Sequence, residues 1–415
     1  MAHLLYTLAT LALLPWAWLH LLLRAHRQPE YLQHWDERRG RYSTDAGQPL
    51  LWIHAVSVGE TRAAQSLVAA LRQRYPQHRI LFTHMTPTGR ATSEALFGDE
   101  VMRAYLPYDT PWAMHRFLRH FRPALGIVME TELWPNLVAA CRAQKVPLLL
   151  VNARLSEKSA RGYARFPALT RQTLAVLTAV AAQSETDGTR LAALGAQDVQ
   201  VLGNLKFDIE PPAPQLALGR LLRQRAGNRT VLLAASTREG EEALILDAFT
   251  EHADNMLLLI VPRHPQRFAE VAALVESRGL RLQRRSDEAA VAATTQVWLG
   301  DSMGEMFAYY AACDIAFIGG SLLDYGSQNM IEGCAVGRPV LIGPSTYNFA
   351  QVAADAIAAG AALTVADAAG LFHAAQMLAA DDAKQLSMAA AGRAFAEQHR
   401  GATERTMALI SRAMR

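Results

Sequence analysis

Three carboxylates stand where a chain of alternating strands and helices uses them for chemistry. Glu60 follows the apolar run 50–54 and the turn Ala55-Val56-Ser57-Val58-Gly59, and Glu130 and Glu132 follow the apolar run 124–129. Each run reads as a strand, and in open α/β sheets ligands bind beyond the carboxyl ends of strands. A glutamate at such a place has two uses: a general base taking the proton of an attacking hydroxyl, or a partner for the dipole in a helix's first turn. Glu130 and Glu132, two residues apart, make at least one further site candidate. Spacing alone does not say which of them faces a ligand, because alternate residues share a face only while the strand persists.

The densest stretch is 317–349, FIGGSLLDYGSQNMIEGCAVGRPVLIGPSTYNF. Residues 315–318 read as a buried strand, Gly319, Gly320 and Ser321 as its turn, 330–336 as a helix closed by Gly337, and 339–342 as the next strand. Unpaired N–H groups at such a helix start, here Gly326 to Asn329, suit an anion. Glu332, one turn in, suits the vicinal hydroxyls of a ribose. Together they outline a nucleotide-sugar site; the plainer reading is an ordinary βαβ unit with a glycine-rich turn.

Other turns offer candidates of the same two-sided kind. Thr88, Gly89 and Arg90 suit an anionic acceptor or a plain helix start. Arg154 suits a bidentate clamp on a carboxylate or phosphate, or a surface pair with Glu157. Lys206 is either a partner for substrate charge or a solvated lysine. Ser236 and Thr237, before a helix expected from about Glu239, read as a phosphate cradle or an N-cap. Arg263 and His264 lie between Pro262 and Pro265, which restrict the backbone at a strand end. Gly304 and Glu305, which precede the stretch 317–349, are further candidates.

The elements that must position these residues form two series of strand and helix patterns. They are separated by 204–215, which is broken by Pro211, Pro212 and Pro214. At 415 residues, 51% hydrophobic and 19% charged, the chain is globular and long enough for two domains. Residues 1–24 form an apolar helix pattern with no charge from Leu4 to Leu19, and Arg24, Arg27, Arg38, Arg39 and Arg41 follow the apolar run. Its length and flanking charge read as a membrane anchor with the rest of the chain on the cytoplasmic side; spanning and interfacial placements both remain. After Phe349 the sequence shows only alanine-rich helical patterns. A net charge of +3 and the absence of a nucleic-acid module argue against a nucleic-acid partner. The three cysteines read as reduced and buried. No GxGxxG follows the first strand, no GxxxxGK[ST] occurs, and no His or Cys cluster has metal spacing, so neither cofactor nor metal is expected.

Taken in order, the motifs resemble those of the Kdo transferases, glycosyltransferases of GT-B type that move 3-deoxy-D-manno-octulosonic acid (Kdo) from CMP-Kdo onto the lipid A precursor. They are the anchor and its Trp-x-Glu-Arg sequel, His-Ala-x-Ser-x-Gly-Glu (54–60), Glu-x-Glu-x-Trp-Pro-Asn (130–136), Asn-x-Arg-x-Ser (152–156), Pro-Arg-His-Pro (262–265) and the 317–349 stretch. One departure is Ser327-Gln328, where the family more often has Gly-His. The resemblance implies a membrane-anchor helix (1–24) and two doubly wound Rossmann-like domains facing a cleft. The first (25–203) would bind acceptor, the second (216–415) would bind the nucleotide sugar, and the last helix would cross back to the first. It makes Glu60 the base, with Ser57, Gly59, Thr88, Gly89, Arg90, Glu130, Glu132, Arg154 and Lys206 on the acceptor side. Ser236, Thr237, Arg263, His264, Gly304, Glu305, Gly320, Ser321, Gly326, Asn329 and Glu332 fall on the donor side. It also implies lipopolysaccharide biosynthesis at the cytoplasmic face of the inner membrane. Two other classes stay open: another GT-B nucleotide-sugar transferase or epimerase, and a non-catalytic membrane-bound scaffold.

Overall fold

A computed structural model describes residues 1–43, 47, 49–252 and 256–415. The chain forms two compact units, Met1–Asp208 with His399–Arg415, and Ile209–Gln398.

The first unit holds β1 (Leu50–His54), β2 (Arg79–His84), β3 (Met102–Tyr105), β4 (Pro123–Met129), β5 (Leu148–Ala153), β6 (Ala179–Ala182) and β7 (Val199–Val201). They pair in parallel in the order β3-β2-β1-β4-β5-β6-β7. Parallel strands are covered on both faces, so they need near-continuous apolar runs. In β1 all five residues are buried. Leu51 and Ile53 point to one core with Leu67, Leu71 and Ile410, while Leu50 and Trp52 point to the other with Phe117 and Leu150. The chain leaves β1 toward β2 and returns on its other side at β4. The switch point therefore lies between the carboxyl ends of β1 and β4, the ends that carry Glu60 and Glu130.

The second unit repeats the plan with β8 (Thr230–Thr237), β9 (Met256–Pro262), β10 (Leu282–Arg284), β11 (Val297–Leu299), β12 (Ile315–Ile318), β13 (Val340–Ile342) and β14 (Ala362–Thr364). Its order is β10-β11-β9-β8-β12-β13-β14, again all parallel, and its switch point lies between β8 and β12. β14 corrects the expectation of helices alone after Phe349. An alanine-rich segment is weakly committed, and pairing of Ala362, Leu363 and Thr364 with Val340, Leu341 and Ile342 makes it the edge strand.

The final helix, Ala402–Ala413, belongs to the first unit: Leu409 and Ile410 join the core beside β1, and Arg405 donates to the carbonyl of Leu202. Asp208 fixes its start by accepting the N–H groups of Gly401 and Thr403 at 2.9 and 2.6 Å.

At the other end of the chain, α1 (Ala2–Arg27) is the one helix among the described residues long and apolar enough to cross a membrane. It is fastened to the first unit through Asp109, a buried carboxylate that accepts from Tyr6 Oη at 2.9 Å, Asn136 N at 3.0 Å and Leu137 N at 2.8 Å. Burial pushes the Asp109 pKa up to about 6, against the pull of those three donors. Asp109→Ala strands two backbone donors at the start of the helix Pro135–Ala143. It is expected to cost about 2–4 kcal/mol, read as a lower urea midpoint, whereas Tyr6→Phe costs about 1 kcal/mol.

Candidate active site

In the first unit the site begins with a reciprocal cap. Ser57 precedes α2 (Val58–Ala63); its Oγ accepts the N–H of Glu60 at 3.2 Å and donates to Glu60 Oε1 at 2.7 Å. The Val56 N–H donates to Glu60 Oε2 at 2.8 Å. Glu60 is only 7% exposed. Burial raises its pKa above the ordinary glutamate value, the Ser57 and Val56 bonds pull it back, and the charges of Glu130 and Glu132 push it up again. The carboxylate is thus oriented through one lone pair on each oxygen, with acceptor capacity left over. The helix that Ser57 caps breaks at Ala64, whose N–H is shared between the carbonyls of Glu60 and Arg62, and resumes as α3 (Gln65–Arg74).

The next strand end supports this turn. Thr86 Oγ1 donates to the carbonyl of Val56 at 3.0 Å and caps α4 (Pro87–Phe97) by accepting the N–H of Gly89. A Cβ on Gly89 would stand 2.9 Å from the Val56 carbonyl oxygen, so only glycine allows the approach. His84 Nδ1 lies 3.0 Å from the carbonyl oxygen of Ala55 and Nε2 lies 2.9 Å from Ser93 Oγ. Burial lowers the His84 pKa to about 4, which keeps the ring neutral. Arg90, expected to face an anionic acceptor, instead pairs with Glu37 at 3.2 Å and lies over the ring of Tyr105. Of the Thr88-Gly89-Arg90 trio only Thr88 is exposed.

Across the switch point Glu130 takes φ of +57°, in the left-handed region, and accepts Lys206 Nζ at 2.8 Å. Lys206 Nζ lies 3.9 Å from where a Cβ on Gly59 would stand, so the ammonium meets the start of α2. Its backbone is held by Asn204, which accepts the Lys206 N–H, and by Asn152, which accepts that of Leu205, each at 2.9 Å. Glu132 accepts the indole N–H of Trp134 at 2.8 Å. Glu60, Glu130 and Lys206 therefore gather at one place, with Glu132 close enough to act on Glu60. Arg154 is exposed and does not pair with Glu157, which pairs with Arg161 at 3.8 Å.

The second unit reverses one expectation. The N–H groups of Gly320, Ser321 and Leu322 point at the carboxylate of Glu241, at 2.6, 3.0 and 2.9 Å, and that of Arg238 joins them at 2.8 Å. The glycine turn after β12 is an anion nest filled by the protein's own buried glutamate. The helix expected from about Glu239 starts at Glu241 for the same reason: the carboxylate closes the turn before it. Three of the four amides of the expected Gly326–Asn329 anion site are also spent. Gly326 N donates to Ser345 Oγ, Ser327 N to the Gly320 carbonyl and Gln328 N to the Gly319 carbonyl. The helix itself runs only over Ile331–Val336, with Asn329 Oδ1 accepting the Ile331 N–H and Asn329 Nδ2 lying 3.4 Å from Glu332 Oε1. Ser327 sits at φ +71°, where a glycine avoids a penalty of about 1–2 kcal/mol.

Ser236 is also left-handed, at φ +55°, and its hydroxyl points to Met306 Sδ at 3.8 Å. Thr237 donates to the buried Glu242, which Arg267 grips at 2.7 and 2.9 Å. Beside them Arg238 lies over the ring of Tyr325, 4.7 Å from its centroid, and places Nη1 3.3 Å from His264 Nε2. Partial burial and then the charges of Arg238, Arg263 and Arg267 lower the His264 pKa. Arg263, half-buried, is tied back through its N–H to the Thr237 carbonyl. Glu305 pairs with Arg285 at 3.3 Å and accepts from Ser302, and the Gly304 carbonyl accepts from Gln215. Arg238, Glu241 and Glu242 are the residues that sequence reasoning left out. Two adjacent acids in a helix's first turn read as ordinary dipole partners, and only the fold brings the β12 turn onto them. Among the described residues no group of three or more His, Cys, Asp or Glu side chains is placed to hold a metal ion.

Residues 33–209 match the 3-deoxy-D-manno-octulosonic-acid transferase (kdotransferase) family. The 3-deoxy-D-manno-octulosonic acid transferase of Bordetella pertussis is 45% identical over 418 residues, covering 97% of each chain. The chain belongs to the Kdo transferase family. It is a glycosyltransferase that transfers Kdo in the biosynthesis of the lipopolysaccharide core. The Kdo transferase of Haemophilus influenzae is 41% identical over 337 residues, 79% of this chain and 78% of that one. The solved UDP-GlcNAc 2-epimerase of Neisseria meningitidis superposes with a TM-score of 0.58 at 14% identity, over 88% of this chain and 100% of that one, a likeness of GT-B fold alone.

Because Glu241 carries four backbone donors, Glu241→Gln turns an amide NH2 toward some of them. Faster hydrogen exchange in a peptide covering 319–326 is expected, with a stability loss of about 2–4 kcal/mol. Unchanged exchange there would mean the nest does not depend on the charge.

Proposed function

We propose that this Kdo transferase uses CMP-Kdo as donor and the lipid A precursor as acceptor, at the cytoplasmic face of the inner membrane, with Glu60 as the catalytic base. The observation that carries the assignment is the Glu60 carboxylate itself. It is buried at the switch point, fixed by Ser57 and Val56 so that lone pairs remain for a hydroxyl, and raised in pKa by its surroundings.

Glu60 accepts the proton of an acceptor hydroxyl; the oxygen attacks the anomeric carbon of Kdo. The bond from that carbon to the CMP phosphate oxygen breaks, its electron pair leaves with CMP, and the configuration inverts. Lys206 and Glu130 set the electrostatics beside the base: Lys206 compensates Glu130, which otherwise adds to the negative charge around Glu60. In the second unit the nucleotide lies over the carboxyl ends of β8, β9 and β12. Arg238, Arg263 and His264 stabilise the phosphate as it leaves, and Glu332 receives the ribose hydroxyls. Gly320, Ser321 and Gly326 act there by giving close backbone approach rather than by donating N–H groups, and Thr237 by setting the turn through Glu242. The apolar α1 accounts for access to a membrane-embedded acceptor.

Transfer assays with CMP-Kdo and detergent-dispersed lipid A precursor, read by mass, test the reading; turnover of a UDP-sugar in place of CMP-Kdo overturns it. Glu60→Gln is expected to lower kcat by about 10²- to 10⁴-fold with the fold intact. The base works deprotonated, so kcat/KM rises with pH along an acid limb lying above the ordinary glutamate pKa. Ser57→Ala removes a bond that lowers the Glu60 pKa and is expected to move that limb to still higher pH.

A further inference from the structure

The sequence left open whether α1 crosses the bilayer. In the structure the helix is apolar on both faces, and its hydroxyl-bearing side chains point inward. Its polar side chains, Tyr6, Thr7 and Thr10, fall on the partly covered stripe, with Tyr6 and Thr7 bonded to the folded unit. The stripe on the other side is apolar and bare, Leu4 at 61%, Leu8 at 54%, Trp16 at 62%, Leu19 at 55% and Leu23 at 63% exposed. The covered stripe repeats every three or four residues along the whole helix, from Tyr6 and Thr7 through Thr10, Leu14 and Trp18 to Leu21 and Ala25.

Near its start, Tyr6 donates to Asp109 and Thr7 donates to Asn136 Oδ1 at 2.8 Å. Near its end, Trp18 packs on Trp35 and Tyr108 with centroids 4.6 and 4.9 Å away, and Leu21 and Ala25 are buried. From Thr7 to Ala25 the axis covers about 27 Å, nearly the thickness of a hydrocarbon core. Both ends are therefore held on one folded unit across nearly the depth of a hydrocarbon core. A spanning α1 would drag Asp109, Asn136 and the helix Pro135–Ala143 through hydrocarbon or break every one of these contacts.

Cationic groups stand beside the covered stripe near both ends of the helix. Arg39 lies over the rings of Trp18 and Trp35 near the carboxyl end. At the other end a groove of about 1410 Å³, lined in part by His3, Val138, Ala139 and Val176, carries Arg142 and Arg171. Apolar side chains immersed, aromatic rings at the boundary and arginines toward anionic headgroups are the signature of a segment lying in the interface.

We infer that α1 does not cross the membrane: it lies in the plane of one leaflet as the immersed outer edge of the first unit, with the bilayer covering its Leu4–Leu8–Trp16–Leu19–Leu23 stripe. This rests on the membrane placement proposed above. The test uses purified full-length protein with one nitroxide introduced at a time by Leu4→Cys, Leu8→Cys, Ala12→Cys, Leu19→Cys or Leu23→Cys; the native Cys141, Cys313 and Cys334 are buried. Each is bound to vesicles of phosphatidylethanolamine and phosphatidylglycerol, and immersion depth is read from the ratio of oxygen to nickel-chelate collisions. All five labels are expected at one shallow depth. A depth that passes through a maximum near Ala12, as the rise of 1.5 Å per residue carries a spanning helix across, overturns the inference and leaves the membrane reading standing. Failure of the protein to float with the vesicles overturns both.

Discussion

Backbone amides that a parallel fold buries at its strand ends must find acceptors, and here side-chain carboxylates supply them. Glu60 receives the N–H of Val56 in the turn after β1. Asp109 receives those of Asn136 and Leu137 at the start of the Pro135–Ala143 helix. Glu241 receives four around the turns after β8 and β12. An unsatisfied buried N–H costs about 1–3 kcal/mol, so these acids fix the turns rather than decorate them. The proposed base inherits that rigidity: the same bonds that complete the turn after β1 aim the Glu60 carboxylate.

The turns also carry backbone strain. Glu130, Asn152 and Ser236 hold φ of +57°, +54° and +55° where β4, β5 and β8 end, although none is glycine. Such residues persist only where their surroundings over-determine them. Glu130 is gripped by Lys206, Asn152 by the Leu205 amide, and the residues after Ser236 by Glu242, which accepts the Thr237 hydroxyl, and Glu241, which accepts the Arg238 N–H. Strain and its restraint thus coincide at the carboxyl ends of the strands, where each unit's switch point lies.

The same economy of polar groups explains α1. A soluble amphipathic helix turns apolar residues inward; this one turns Tyr6 and Thr7 inward, where Asp109 and Asn136 accept their protons, and leaves leucines outside. The bare leucine stripe gains free energy wherever an apolar surface covers it.

Sequence by itself determined the two series of strands, the apolar amino-terminal helix and the strand-end location of Glu60, Glu130 and Arg263. Each follows from a local pattern: continuous apolar runs, glycine and proline punctuation, and the rule that α/β ligands bind beyond strand carboxyl ends. The motif order likewise carried the Kdo transferase resemblance that relatives at 45 and 41% identity bear out. What sequence could not determine were pairings between distant segments. Gly320 and Ser321 read as a donor-side turn, but their N–H groups are taken by Glu241, about eighty residues away in the chain and brought there only when β12 pairs with β8. Arg90 read as open to an acceptor until Glu37 folded onto it, and Ala362–Thr364 read as helix until β13 offered an edge. Local propensity is a sum over neighbours in the chain, whereas hydrogen bonds are made between neighbours in space. Where the two disagreed in this protein, only the tertiary structure could decide.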